Sequence, residues 1–394
     1  MLGFYWSLST LFFYLFLAFL GMWCMNFIKK DSQTFSFKNC LTNKYVLLWL
    51  FIWTFFAAFR HVSFYIGGAD AKSYIGFFEK CNNVYYDAWM LHAGHDVLFK
   101  WINKIIRFIT DDYHAYFLIV YGFMTFASIA FAQRFSRKEF NIAPYLLVFY
   151  LYLRSYNTLR TNLAIAFILI GLIYFADKKI TKAYLWTFAS VLIHKASLLY
   201  ALALIFIHVF QKRRLTLKVA SIMILCSVIA ASLFQDWFTM FAGDVDLGGS
   251  YASYAVMTES EGFLTNFWKI AFEQIILGLF MALNSTKIKN YINSLAERNT
   301  LNVLWHLCIF DMITIPVTFY LNIWRGYEYL YIPRIVMWGL ILYLYTYKRP
   351  KYVRIIYTGL YIILFTAWMS FRIERTYEES ALMPYIFDYS LFYV

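Results

Sequence analysis

The sequence predicts an all-α polytopic integral membrane protein of about 12 transmembrane helices, and three observations carry that prediction. Of its 394 residues, 62% are hydrophobic and only 14% charged, against roughly 25% charged in soluble proteins. The apolar residues fall in runs that recur from end to end, separated by short charged stretches. A helix is the element that satisfies its own backbone inside a bilayer. The basic residues concentrate in alternate loops, the pattern of cytoplasmic retention. No Pro-, Gly- or Ser-rich linker or shift in composition divides the chain, so 1–394 reads as a single transmembrane domain.

Twelve apolar segments are expected to be helical: 4–27, 45–60, 113–133, 142–153, 161–176, 183–194, 197–210, 217–235, 264–283, 300–320, 327–346 and 352–371. The first follows no basic n-region and precedes no small-residue cleavage site, so it reads as a retained helix rather than a signal peptide. Several are shorter than the roughly 20 residues of a full crossing. Those around Arg154 and His194 read as broken helices whose irregular backbone lines a cavity.

The six loops 28–44, 134–141, 177–182, 211–218, 284–298 and 347–354 hold 21 of the 35 Lys and Arg residues. Their acids are only Asp31, Glu139, Asp177 and Glu297. That side is expected to be cytoplasmic, which puts both termini and the stretches 61–112, 236–263 and 372–394 outside. The net charge of +13 is thereby a topology signal, and nucleic acid is not expected as a partner. Cys24, Cys40, Cys81, Cys226 and Cys308 form no CxxC pair and give no disulfide framework. No ligand cluster for a metal stands in the sequence, and no cofactor is expected.

The outer stretches carry the polar residues. Gly67 and Gly68 before Asp70 are turn material that lets backbone approach a ligand, although for Asp70 taken alone an ordinary Asx turn is the plainer reading. Leu98, Ile102, Ile105, Ile106 and Ile109 lie at helical spacing, with Lys100, Lys104 and Arg107 on another face, which predicts an amphipathic interfacial helix. The 236–263 loop, with Asp236, Asp244, Asp246, Glu259 and Glu261, lacks an EF-hand pattern and reads as a solvated acidic lid. Arg325 and Glu328 are spaced for a local ion pair. Arg334 lies deeper in its span, and Asp311 is its expected partner.

Four outward junctions then supply Arg60, Arg154, Arg160, His194, Lys195 and Arg325. A guanidinium is always charged and grips phosphate oxygens in a fork, so this cluster predicts a site for a membrane-embedded pyrophosphate. Arg154 and Arg160 lie about 120° apart on a continuous helix and converge only if Ser155-Tyr156-Asn157 breaks it. His194 exchanges a proton near neutral pH, which makes it the candidate general base, with Asp70 next. A helix-end histidine bonded to a carbonyl is the plainer reading of the same residue.

The strings Gly68-Ala-Asp70-Ala-Lys72-Ser-Tyr74-Ile-Gly-Phe-Phe78-Glu79, Leu159-Arg160-Thr-Asn162-Leu-Ala164-Ile-Ala166 and Ile193-His194-Lys-Ala-Ser197 resemble the Wzy/EpsG type of O-antigen and exopolysaccharide polymerase. The similarity covers roughly residues 50–210. It implies a GT-C-like glycosyltransferase of the bacterial inner membrane with its active site facing the periplasm. Its substrates would be oligosaccharide repeat units on undecaprenyl pyrophosphate, with membrane lipids and a chain-length regulator protein as partners. The growing chain would pass to the non-reducing end of the next unit, for O-antigen, capsule or exopolysaccharide. In that reading Arg60, Tyr74, Arg154, Arg160, Lys195 and Arg325 bind pyrophosphate or glycan, and His194 or Asp70 serves catalysis. A lipid-linked oligosaccharide flippase would also need cations for pyrophosphate, but repeat symmetry between its halves is not evident. An O-antigen ligase-like transferase would differ only in its acceptor.

Overall fold

The computed structural model describes residues 2–28, 36–63, 66–68, 70–81, 96–136, 141–210, 216–233, 272–295, 298–320, 328–375 and 386. The expected acidic loop 236–263, Arg325 and most of the 372–394 tail fall outside them. Among the described residues every element is helical. The chain forms two compact units, Met1–Lys195 with Tyr345–Val394, and Ala196–Leu344.

The first unit begins with α1 (Leu2–Phe27), α2 (Phe37–Thr42), α3 (Lys44–Ala58), α4 (Ala71–Lys80), α5 (Val97–Ile109) and α6 (Tyr113–Phe135). It continues through α7 (Ala143–Leu147), a π turn (Val148–Tyr152), α8 (Leu153–Asn157), α9 (Leu159–Ala176) and α10 (Ile180–Ile193). The second unit contains α11 (Leu198–Phe210), α12 (Leu217–Leu233), α13 (Phe272–Leu283), α14 (Ser285–Ser294), α15 (Arg298–Tyr320) and α16 (Ile332–Thr346). The last helix, α17 (Lys351–Arg375), returns to the first unit.

Each of the twelve apolar segments thus contains a helix. Among the described residues four helices are long and apolar enough to cross a membrane: Leu8–Phe27, Tyr113–Phe135, Leu159–Ala176 and Lys351–Ser370. Apart from α15, which has 23 residues, the other helices fall short of 18 residues, because breaks and turns cut the apolar runs. The break expected near Arg154 occurs one residue later than its polar triplet suggests. Thr158 takes a non-helical φ of −113° and ψ of 58° between α8 and α9. His194 ends α10 in an extended conformation, φ −153° and ψ 113°.

The central helix of the first unit is α9, 83% of whose apolar window is buried. It packs on α10 where Gly171 brings the backbones together. A Cβ there would lie 3.2 Å from the Ala183 carbonyl oxygen, the close approach that small residues give membrane helices. Arg134 of α6 grips Asp177, past the end of α9, through Nε at 3.0 Å and Nη2 at 2.9 Å. Trp53 of α3 donates its indole N–H to the Leu17 carbonyl of α1 at 3.1 Å. Tyr152 of the π turn donates to the Trp53 carbonyl at 2.8 Å, so the irregular segment is moored on two regular helices. By contrast, α17 turns Ile355, Ile356, Leu360, Ile363 and Leu364 outward, an apolar ridge with water-free surroundings as its natural solvent.

In α5 the buried face is Phe99, Asn103 and Ile106. Val97, Trp101, Ile105, Phe108 and Ile109 are exposed and follow one another at helical spacing. The amphipathic helix is where the sequence puts it, but the apolar residues split between a packed face and an uncovered one.

Two glycines fix the turn before α4. Gly67 and Gly68 have φ of 82° and 107°, the left-handed region that L side chains avoid. A Cβ on Gly68 would lie 2.1 Å from the Tyr156 carbonyl oxygen. Gly68→Ala is therefore expected to destabilise the protein by about 2 kcal/mol or more, since strain and overlap combine. Gly76→Ala, inside α4 with nothing within 4 Å, is the control and should be neutral or stabilising by up to about 1 kcal/mol. Thermal unfolding of both purified variants measures the difference, and equal midpoints would refute the assigned contact.

Candidate functional site

The site is built outward from the junction of α8 and α9. Thr158 leaves the helix, so its N–H and hydroxyl turn back to the Arg154 carbonyl at 2.8 and 3.0 Å. Asn162, one turn on, donates to the Thr158 carbonyl and hydroxyl oxygens at 3.1 and 2.9 Å. Side-chain amides and hydroxyls thus satisfy the backbone that the break exposes. The Gly67–Asp70 turn lies over this break. Gly68 touches Tyr156, and the Asp70 N–H donates to Asn157 Oδ1 at 3.0 Å.

Arg60 holds that turn from beneath. Its guanidinium donates from Nε to the Gly67 carbonyl at 2.8 Å, from Nη2 to the Tyr121 hydroxyl at 2.8 Å and from Nη1 to the Ala57 carbonyl. The rings of Tyr156, Phe117 and Tyr121 surround its carbon at 4.3, 4.8 and 4.9 Å. Tyr121 passes the connection on by donating to the Ser155 carbonyl at 3.0 Å. Arg60 is 1% exposed. Where the sequence expects Arg60 to bind pyrophosphate or glycan, the structure gives it a hydrogen bond from each guanidinium nitrogen and rings over its faces, a place in the frame of the turn.

The next contact was not anticipated. Asp96 stands at the start of α5, a position where Asp is ordinarily a cap, yet its side chain accepts nothing from its own helix. Instead Oδ2 accepts the Lys195 N–H at 3.2 Å and lies 3.8 Å from Arg160 Nη1. One carboxylate therefore joins the N-termini of α5 and α9 and the turn after α10. Burial raises the Asp96 pKa above its ordinary value, opposed by the charge of Arg160, by the Lys195 N–H and by the charges of Lys195 and Lys100. Burial likewise lowers the pKa of Lys100, with Asp96 opposing. Arg160, Lys195 and Lys100 thus gather around one carboxylate.

Of the residues singled out by sequence, Arg160 and Lys195 are thus brought to one carboxylate. His194 adjoins Lys195 in the chain, but its side chain is only 1% exposed and its backbone N–H is tied to the Ser190 carbonyl at 2.9 Å. Arg154 is half-buried at the break. Asp70 is half-buried and leaves α4 without a side-chain cap. Tyr74 sits one turn into α4 with its ring edge against Phe99 of α5, 5.9 Å between centroids. Arg325 lies outside the described residues. Asp96 was missed because an Asp before an apolar run looks like a cap, and nothing local says otherwise.

Near the break lies a small cavity of about 20 Å³, room for little more than a water molecule, lined by Trp53, Tyr121, Ser128, Tyr152, Ser155 and Asn162 among others. Leu151 and Tyr152 of the π turn contribute to its wall. In the second unit, Arg334 forks onto Asp311, Nε to Oδ2 at 2.8 Å and Nη2 to Oδ1 at 3.1 Å, and reaches Glu273 at 3.4 Å. The expected structural pairing is there, with a second carboxylate added. No group of metal-ligating side chains occurs among the described residues.

In comparison with known families, one family model, the EpsG family, matches residues 43–387, most of the chain. Neither the curated proteins nor the solved structures give a match.

The geometry separates two arginines that sequence alone treats alike. Arg60→Lys should lower stability by on the order of 2 kcal/mol, because Lys keeps the charge but loses the fork and the flat face. Arg160→Lys, on a partly exposed side chain 3.8 Å from the Asp96 carboxylate, should lower the thermal midpoint less than Arg60→Lys does. A wild-type midpoint for Arg60→Lys would remove the cage from the account of the fold.

Proposed function

The chain belongs to the EpsG family, a family of Wzy/EpsG-type polymerases, and on that premise we propose a membrane glycosyltransferase that polymerises lipid-linked oligosaccharides. The donor is a glycan on undecaprenyl pyrophosphate. The acceptor is the non-reducing end of the next lipid-linked unit, and transfer takes place at the periplasmic face of the inner membrane. The observation that carries this reading is the collection of Arg160, Lys195 and Lys100 around Asp96. It lies at one end of the 18-residue α9, while the basic loop 177–182 follows the other end. A gathering of cations at the end of α9 away from that basic loop suits an anion carried by a lipid in the outer leaflet.

Pyrophosphate departs with its own charge and needs neutralisation more than a proton. Arg160 and Lys195, with Arg154 at the break, supply fixed positive charge where the negative charge develops. Tyr74 and Asp70 stand on the turn above, where a ring face and a carboxylate suit a sugar. The exposed ridge of α5 rests in the membrane interface and holds Asp96 and Lys100 at headgroup level. Arg60 contributes by fixing the Gly67–Asp70 turn.

The test is purified protein in lipid nanodiscs supplied with lipid-linked repeat units alone. A ladder of products is expected, and Arg160→Ala should lower the rate by roughly 100-fold or more with Arg160→Lys recovering part. Transport without a new glycosidic bond would indicate a flippase. Transfer only to a separate lipid acceptor, with no ladder, would indicate a ligase. Topology is checked independently. A Cys at Lys178 should be labelled only from the cytoplasm and one at Ser73 only from outside. The reverse pattern would move the cation cluster to the wrong side for this substrate.

A further inference from the structure

Asp96 makes one more inference possible, which deepens the function proposed above and rests on it. A carboxylate at a helix start has a ready use in capping, worth about 1 kcal/mol, and Asp96 forgoes it. One of its oxygens, Oδ2, is anchored by the Lys195 N–H and Arg160. The other, Oδ1, has no hydrogen-bond partner among the described residues. The side chain is thus held in one orientation with one oxygen committed and one available. That is how a proton acceptor is prepared: fixed by one edge, open at the other. His194, the base suggested by sequence, is closed into the end of α10.

We propose that Asp96 is the general base of the transfer, receiving the proton of the acceptor hydroxyl on Oδ1. As that O–H bond breaks, the acceptor oxygen forms its bond to the anomeric carbon of the donor. The anomeric carbon–oxygen bond to pyrophosphate breaks in the same event, and its electron pair leaves with the pyrophosphate oxygen beside Arg160 and Lys195. The proton remains on Asp96 until solvent removes it. Burial strengthens the base, because the ionised form is the one disfavoured by a dry surrounding, and the neighbouring cations oppose that shift. The same cations serve both partners in turn: they balance Asp96 before transfer and the pyrophosphate during it.

Asp96→Asn is the deciding variant. The amide oxygen can still accept the Lys195 N–H, but the group cannot take a proton. With the wild type producing a ladder, Asp96→Asn should lose about 10²–10⁴-fold in kcat while its affinity for lipid-linked donor changes little. A rate within tenfold of wild type would overturn the proposal. Loss of donor binding in parallel with Arg160→Ala would also overturn it, leaving Asp96 as a pin for the cations. Should Asp96→Asn not fold, the pH profile decides. Activity of the wild type should fall as pH drops through a single inflection above the ordinary Asp value of about 3.9. His194→Gln should keep that acid limb. Its absence from the wild type, or its loss in His194→Gln, would transfer the role to another group. If the wild type forms no glycosidic bond from lipid-linked units, the polymerase reading fails first and the base assignment with it.

Discussion

An arginine without a carboxylate sits at the base of the first unit, and much of the site depends on how that charge is accommodated. Arg60 is 1% exposed, and no carboxylate reaches it among the described residues. A guanidinium stays ionised in such a place, and leaving it unpartnered would cost several kcal/mol. Neutral groups take the load: carbonyls of Ala57 and Gly67, the hydroxyl of Tyr121, and three ring faces. Each acceptor has to stand where the flat, forked donor can use it. That requirement sets the Gly67–Gly68 turn, the rotation of α6 at Tyr121, and through Tyr121 and Tyr156 the backbone of α8. The break between Arg154 and Arg160 is therefore held by a buried residue from a distant helix end.

Much of this arrangement was legible in the sequence, and the illegible part has a physical reason. Helix positions follow from apolar runs because burial of side chains and self-satisfaction of backbone act locally. The break near Arg154 was visible in Ser155-Tyr156-Asn157, residues that compete with the helix for hydrogen bonds, although it settled at Thr158. The pairing of Arg334 with Asp311 was visible because a deep cation needs a partner and only one acid stood in the neighbouring run. The fate of Arg60 was not visible, since a cage of Phe117, Tyr121 and Tyr156 comes from two other segments and a chain with 42 Phe and 34 Tyr makes aromatic neighbours uninformative. Asp96 was hidden for the opposite reason: it had a plausible local role at the start of α5. A local rule that is satisfied on paper and broken in the fold is detectable only after the distant partners, Arg160 and Lys195, are in place.

That broken rule is also what distinguishes the cluster from an ordinary surface ion pair. An exposed pair at 3.8 Å would contribute little, and Arg160 with Asp96 is not a tight fork. The stronger tie is to the backbone of Lys195, which fixes the turn after α10 relative to the start of α5. In this way α5, an amphipathic helix with an uncovered apolar ridge, is coupled to two helices of the bundle through a single carboxylate.

The two units treat arginine in opposite ways, and the contrast says where chemistry belongs. Arg334 in the second unit meets two carboxylates, Asp311 and Glu273, and Trp338 and Gln274 fill further positions on them. Its five donors have little left to offer, and the local sum is negative. A network so closed fixes the packing of α13, α15 and α16 and has no affinity to spare for an anion. In the first unit Arg160, Lys195 and Lys100 gather around Asp96, the contact to Arg160 is long at 3.8 Å, and among the described residues Asp96 Oδ1 accepts no hydrogen bond. The closed network around Arg334 suits packing, whereas cations gathered loosely about a carboxylate that is held by one edge suit the anionic ligand proposed above, because a long contact is easier to exchange than a tight fork.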